Sequence, residues 1–296
     1  YEIYRCDWSS DVCSSDLHSQ MHKLMPIALI PVIVGGFFIQ GQAFADPTNA
    51  DQKMVLIKTV GGAISPKSVL ASDNGLISAH NMMYNHSVTI YDATSAELLV
   101  TVPDTVVLSD FGFAKFSGRY QGAPVEGAYS PDGKYLYFTN YAMYGKGFNR
   151  EGHDTCSPAS GFDSSFLSRI NLERKVIDAV YPVGAVPKVV KVTPNNKYIL
   201  VSNWCSYTVT VISVESGKTV TSVKIGRYPR GIAITNDSKF AYVAEMGGSH
   251  VHKVNLSDFT QELIPVGANP RAIVLSPDET RMYVTMNVSG RVQAWD

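Results

Sequence analysis

The sequence has 296 residues, 45% of them hydrophobic and 17% charged, which is a globular composition with enough apolar material for a sizeable core. Its formal net charge of −1 supplies no long-range field for nucleic acid or for an acidic membrane surface, so any recognition has to rest on local charge.

In chain order, the first two segments stand apart from the fold. Residues 1–17 resemble a translated sequencing adapter, and residues 1–20 are read as non-native. Met21 is the expected start. His22 and Lys23, the apolar stretch Leu24–Ile39 and the small-x-small run Ala43-Phe44-Ala45 read as a secretory signal peptide over residues 21–45. Pro26 and Pro31 interrupt the stretch, and no later apolar run approaches the length of a membrane span. A periplasmic or secreted protein is expected. Cys156 and Cys205 then form an even pair in an oxidising compartment, which predicts a disulfide; in a reducing one they would be separate thiols.

From residue 46 onward the sequence repeats. A proline opens a short apolar strand at Pro66, Pro124, Pro187, Pro229 and Pro270, with a spacing of about 40 residues in the last two intervals and about 60 in the first two. Pro187–Val192 reads as one strand, Tyr198–Asn203 as a second, Val209–Ser213 as a third and Thr219–Ile225 as a fourth. The turn after the first strand recurs as Ser130-Pro131-Asp132-Gly133, Thr235-Asn236-Asp237-Ser238 and Ser276-Pro277-Asp278-Glu279, residues that favour tight turns. Four strands per unit at this period predict an all-β fold, a β-propeller of four-stranded antiparallel blades over residues 46–296. No helical periodicity competes.

The second strands end in Tyr137-Phe138-Thr139-Asn140, Leu200-Val201-Ser202-Asn203, Tyr242-Val243-Ala244-Glu245 and Tyr283-Val284-Thr285-Met286. A Val/Ile-Gly-x-x-Pro joint stands at Val183–Pro187, Ile225–Pro229 and Val266–Pro270. On these motifs the chain resembles the YVTN-repeat β-propeller family, the YncE-like group of the seven-bladed lactonase-like superfamily. Five blades are visible, so the expectation is a propeller truncated from seven, although a five-bladed ring closed by Met54–Val60 as an outermost strand also fits. The resemblance implies fold more than activity.

Propeller connectivity places the start of each first strand and the end of each second strand on one face. Lys67, Lys188, Arg230 and Arg271 follow four of the five prolines, and Val125-Glu126 follows the fifth. Such cations would ring the channel mouth and attract anions. Asn81, Asn140, Asn203, Glu245 and Asn287 end or closely follow the second strands; capping of their own turns competes with ligand contact there. Two insertions fall on the same face, Pro103–Ala123 and Tyr141–Ser165, and Tyr141, Tyr144, Phe148, Phe162 and Trp204 could wall a pocket. His80, His86, His153 and His250 map there without metal-ligand spacing, and His250 and His252 are expected to be solvated. Glu126 and Asp154 are the available acid–base groups, but no catalytic motif pairs them.

The sequence therefore predicts a binding protein, with no metal, no cofactor and no catalytic residue expected. Its ligand would be an anionic small molecule or an acidic protein or polymer segment, held by Lys67, Lys188, Arg230, Arg271, Asn81, Asn140, Asn203, Trp204, Glu245 and Glu126. The rival reading is a propeller enzyme, a lactonase or a subunit of a periplasmic dehydrogenase.

Overall fold

The computed structural model describes residues 55–296 and a two-residue antiparallel pairing of β1 (Arg5–Cys6) with β2 (Cys13–Ser14). The proposed signal peptide, and the adapter-like segment apart from that pairing, lie outside the described residues. Residues 55–60 belong to a separate unit and form no strand; Val55, Leu56 and Ile57 are exposed. The outermost strand expected over Met54–Val60 is therefore not formed by residues 55–60.

Residues 61–296 build five antiparallel sheets in sequence order. The first contains β3 (Pro66–Ala71), β4 (Leu76–Asn81), β5 (Ser87–Asp92) and β6 (Leu98–Pro103). The second contains β7 (Thr105–Val106), β8 (Tyr120–Tyr129), β9 (Tyr135–Tyr144), β10 (Phe166–Asn171) and β11 (Val176–Pro182). The third contains β12 (Pro187–Val192), β13 (Tyr198–Asn203), β14 (Thr208–Ser213) and β15 (Thr219–Lys224). The fourth contains β16 (Pro229–Ile234), β17 (Phe240–Glu245), β18 (His250–Asn255) and β19 (Gln261–Pro265). The fifth contains β20 (Pro270–Leu275), β21 (Met282–Met286) and β22 (Arg291–Trp295). The first strands of successive sheets pack on one another and the fourth strands are exposed, so each sheet is a blade running outward from an axis. The fold is an all-β propeller with five blades among the described residues.

Local chemistry accounts for the blade. In the second to fifth blades the Ser or Thr that opens the first turn hydrogen-bonds an Asp or Asn two residues on: Ser130 to Asp132 at 2.6 Å, Thr193 to Asn195 at 2.7 Å, Thr235 to Asp237 at 2.7 Å and Ser276 to Asp278 at 2.6 Å. The same hydroxyl accepts the N–H that starts the second strand, as Ser130 does from Tyr135 at 2.9 Å, so the side chain closes the hairpin. Every first strand also carries a register shift just after its proline. Proline has no N–H for the ladder, and a bulge there bends the strand toward the axis.

Apolar side chains fill the spaces between blades. Val190, Ile199 and Val201 pack with Tyr137 and Leu167 of the second blade, and Ile232, Ala241 and Val243 pack with Leu200 and Val211 of the third. The second blade departs from the expected unit. Its two inner strands continue upward into the insertions, pairing Gln121 with Tyr144 and Gly122 with Met143, and β7 adds a fifth strand. The insertions are thus ordered parts of the blade, with a core of Leu108, Tyr120, Met143 and Phe166.

Candidate functional site

Arg230 begins the fourth blade, yet its Nη2 lies 3.5 Å from Oε1 of Glu126 in the second. A contact that skips the third blade requires the residues after the prolines to converge on the axis. Lys188, on the intervening blade, has a fully buried side chain. Its Nζ lies 3.3 Å from Asp154 Oδ1, 4.6 Å from the ring centre of Tyr141 and 5.4 Å from that of Trp204. Lys67 and Arg271, on the first and last blades, are half-buried; Arg271 Nη1 donates to Asn287 Oδ1 at 3.4 Å.

Asp154 reaches the mouth on the second insertion, and that loop is held at several points. Trp204 Nε1 donates to the Asp154 carbonyl at 2.9 Å and Tyr141 OH to its carboxylate at 3.4 Å. Tyr207 OH donates to the Cys156 carbonyl at 2.7 Å, and Tyr228 OH accepts the Cys156 N–H at 3.2 Å. Trp204 and Tyr228 stack with ring centres 4.3 Å apart. The expected disulfide is present: Cys156 and Cys205 are bonded, with Cα atoms 5.4 Å apart. Two of the repeated cations, Lys188 and Arg230, are thus paired with the chain's own carboxylates Asp154 and Glu126. Burying Lys188 beside Asp154 offsets the desolvation of both charges.

The residues at the ends of the second strands work within their blades. Asn81 Oδ1 accepts the Ser65 N–H at 3.1 Å, Asn203 Oδ1 accepts that of Gly184 at 3.0 Å, and Glu245 Oε1 accepts that of Arg227 at 3.1 Å. Asn81, Asn140 and Asn203 are fully buried. Glu245 also stands 3.8 Å from His250 Nδ1 and 3.5 Å from His252 Nε2. His252 is buried, contrary to the expectation of a solvated ring, because its Nδ1 packs 2.9 Å from Gln261 Oε1 on the next strand. His80 is buried too, its Nδ1 3.0 Å from Ser68 Oγ. Desolvation lowers its pKa to about 4, so it is neutral. His86 lies against the Gly122 carbonyl at 2.9 Å, and His153 is exposed.

One feature escaped sequence reasoning. Asp104, just before β7, is fully buried, and among the described residues neither of its carboxyl oxygens has a partner; Asn140 Oδ1 beside it has none either. Both groups close over Gly122, where a Cβ would fall 2.3 Å from Asp104 Oδ2 and 2.6 Å from Asn140 Oδ1, so only glycine fits. In the first and third blades the equivalent asparagine oxygen receives a backbone N–H. In the second, the Gly122 N–H goes to the Asp104 carbonyl at 3.1 Å instead. Burial pushes the Asp104 carboxyl up to about 8.

No protein-family model matches the chain, and no curated protein sequence does. Among solved structures, a functionally unknown protein from Desulfotomaculum acetoxidans DSM 771 superposes with a TM-score of 0.57 at 14% identity, over 80% of this chain and 71% of that one. Hydrazine synthase of Kuenenia stuttgartiensis matches with a TM-score of 0.45 at 17% identity, over 82% of this chain and 80% of that one. The likeness to the first of these shows the fold alone. The propeller's chemistry has to be read from its own residues.

Proposed function

We propose that this is a YVTN-type propeller that acts in the periplasm or outside the cell, binding an anionic small molecule or an acidic partner segment at its channel mouth. The supporting observation is that the mouth already takes carboxylates. Asp154 from the insertion sits on Lys188, and Glu126 sits on Arg230 from across the axis. Lys67 and Arg271 hold the same repeat position on the first and last blades and are half-exposed, so an external anion is expected to approach the ring on their side. The disulfide is compatible with an oxidising compartment, and no helix among the described residues is long and apolar enough to cross a membrane.

Lys188 and Arg230 are built into the core, so the test uses the outer pair. Melting temperature would be measured with citrate, phosphate and polyglutamate, for the wild type and for K67Q/R271Q. The expected result is a rise for the wild type that shrinks with added salt and is absent in the variant. If no anion moves the wild type more than the variant, the reading fails. The enzyme reading has one observation in its favour, the Glu245–His250–His252 cluster. Ester or lactone hydrolysis that disappears in E245Q would support it.

A further inference from the structure

Where the two insertions of the second blade meet, they leave a cleft of about 540 Å³ that shares no residue with the channel mouth. One wall is aromatic. Phe116 and Phe148 stack with ring centres 4.9 Å apart and planes 16° from parallel, and Tyr120 meets each ring edge-on. The rim is basic. Lys115 and Lys146 are exposed, and neither forms an ion pair with a described residue, although the Lys115 ammonium rests 4.7 Å from the Phe116 ring centre. The carboxylate that lines the cleft, Asp163, is engaged by the Arg150 N–H at 2.6 Å.

The cleft is also preformed. The single Tyr120 O–H lies 3.2 Å from the Ser117 carbonyl and 3.0 Å from the Lys146 carbonyl, which share its proton and tie one insertion to the other. Gly145 lies flat on the Tyr120 ring with φ of 145°; a Cβ there would come within 2.5 Å of it. An aromatic wall fixed by these contacts and rimmed by two lysines is a site whose apolar part is ordered before any ligand arrives, which leaves the lysine side chains to be ordered on binding.

The geometry points to this cleft as a second binding site, for a small ligand with a planar apolar body and an anionic head: an aryl carboxylate, sulfonate or phosphate. The body would lie against Phe116 and Phe148 while Lys115 and Lys146 bracket the head. Ammonium groups on flexible stems act as point charges, so the site would select for charge and flatness more than for head-group shape.

Anilinonaphthalene sulfonate is a suitable probe, and phenylnaphthylamine is its uncharged control. Fluorescence titrations would compare the wild type, K115Q/K146Q and K67Q/R271Q. Two partly exposed charge contacts correspond to about a tenfold change in affinity. The sulfonate should bind the wild type at one saturable site, lose about tenfold in K115Q/K146Q, and be unchanged in K67Q/R271Q, which separates this cleft from the channel mouth. Phenylnaphthylamine should bind the wild type and K115Q/K146Q equally. A loss of less than about threefold for the sulfonate in K115Q/K146Q, or an equal loss for both probes, would overturn the proposal. So would a matching loss in K67Q/R271Q.

Discussion

Asp104, Asn140 and Gly122 lead to a prediction about pH. Three acceptor oxygens meet beside Gly122 with no donor among the described residues, and the simplest donor is the acid's own proton, shared from Asp104 to Asn140 Oδ1. The native acid would then titrate near 8, against about 3.8 in the unfolded chain. Between those values the folded state holds a proton that the unfolded state has released. The stabilisation is therefore complete below about pH 4 and lost as pH rises through about 8. Each pH unit in that window is worth about 1.4 kcal/mol, which sets an upper limit of roughly 5–6 kcal/mol for the whole span. Asp104→Asn keeps the shape, supplies a permanent N–H donor for Asn140, and does not titrate. Urea unfolding at pH 5, 6 and 7 should show the variant gaining on the wild type by about 1.4 kcal/mol per unit, since other titrating groups cancel in the difference. A gap that does not change with pH would mean that Asp104 is ionised at neutral pH. Stabilisation of the wild type by calcium, absent in Asp104→Asn, would show that a cation rather than a proton fills the space.

Other expectations follow from single contacts. Replacing Cys156 and Cys205 with alanine opens a loop with a sequence separation of 49 and should cost about 4 kcal/mol in denaturant unfolding, less if the Tyr207 and Tyr228 hydrogen bonds hold the insertion. Asp154→Asn removes the carboxylate beside buried Lys188 and should cost about 3 kcal/mol, while D154N/K188M should recover much of it; a double variant as unstable as the single one would refute the charge argument. Lys175 is exposed with φ of 57°, so Lys175→Gly should raise stability by about 1 kcal/mol, read as an increase in melting temperature.

The blade was legible because its signals are local. The prolines, the Ser/Thr-x-Asp/Asn turns and the β-branched and aromatic residues of strands such as Tyr198–Asn203 each act within a few residues, and the structure places them as read except at Pro124, which lies inside β8 rather than at its start. The cations were legible as a repeated position, but their partners were not. Glu126 meets Arg230 and Asp154 meets Lys188 only through the closure of the blades and the path of an insertion. The insertions looked like loops because their strand character lies in pairing, Gly122 against Met143, rather than in a long alternating run. Asp104 left a faint trace, a lone carboxylate inside the apolar stretch Leu98–Leu108. Its isolation comes from β7, a strand too short to anticipate. His252 was misplaced because its neighbour Gln261 belongs to a strand whose register no local pattern sets.

The strap formed by the second insertion alters how the propeller should come apart. Repeat proteins are close to one-dimensional, with each unit coupled only to its neighbours and free to fray from the ends. Here the segment around Asp154–Cys156 rises from the second blade, is covalently fixed to the third and touches Tyr228 at the entry to the fourth, while Glu126 and Arg230 join the second and fourth directly. These three blades are cross-linked beyond nearest neighbours and should open as one cooperative block. In a hydrogen-exchange profile the block that carries Glu126, Asp154, Lys188 and Arg230 should therefore be the part that opens last.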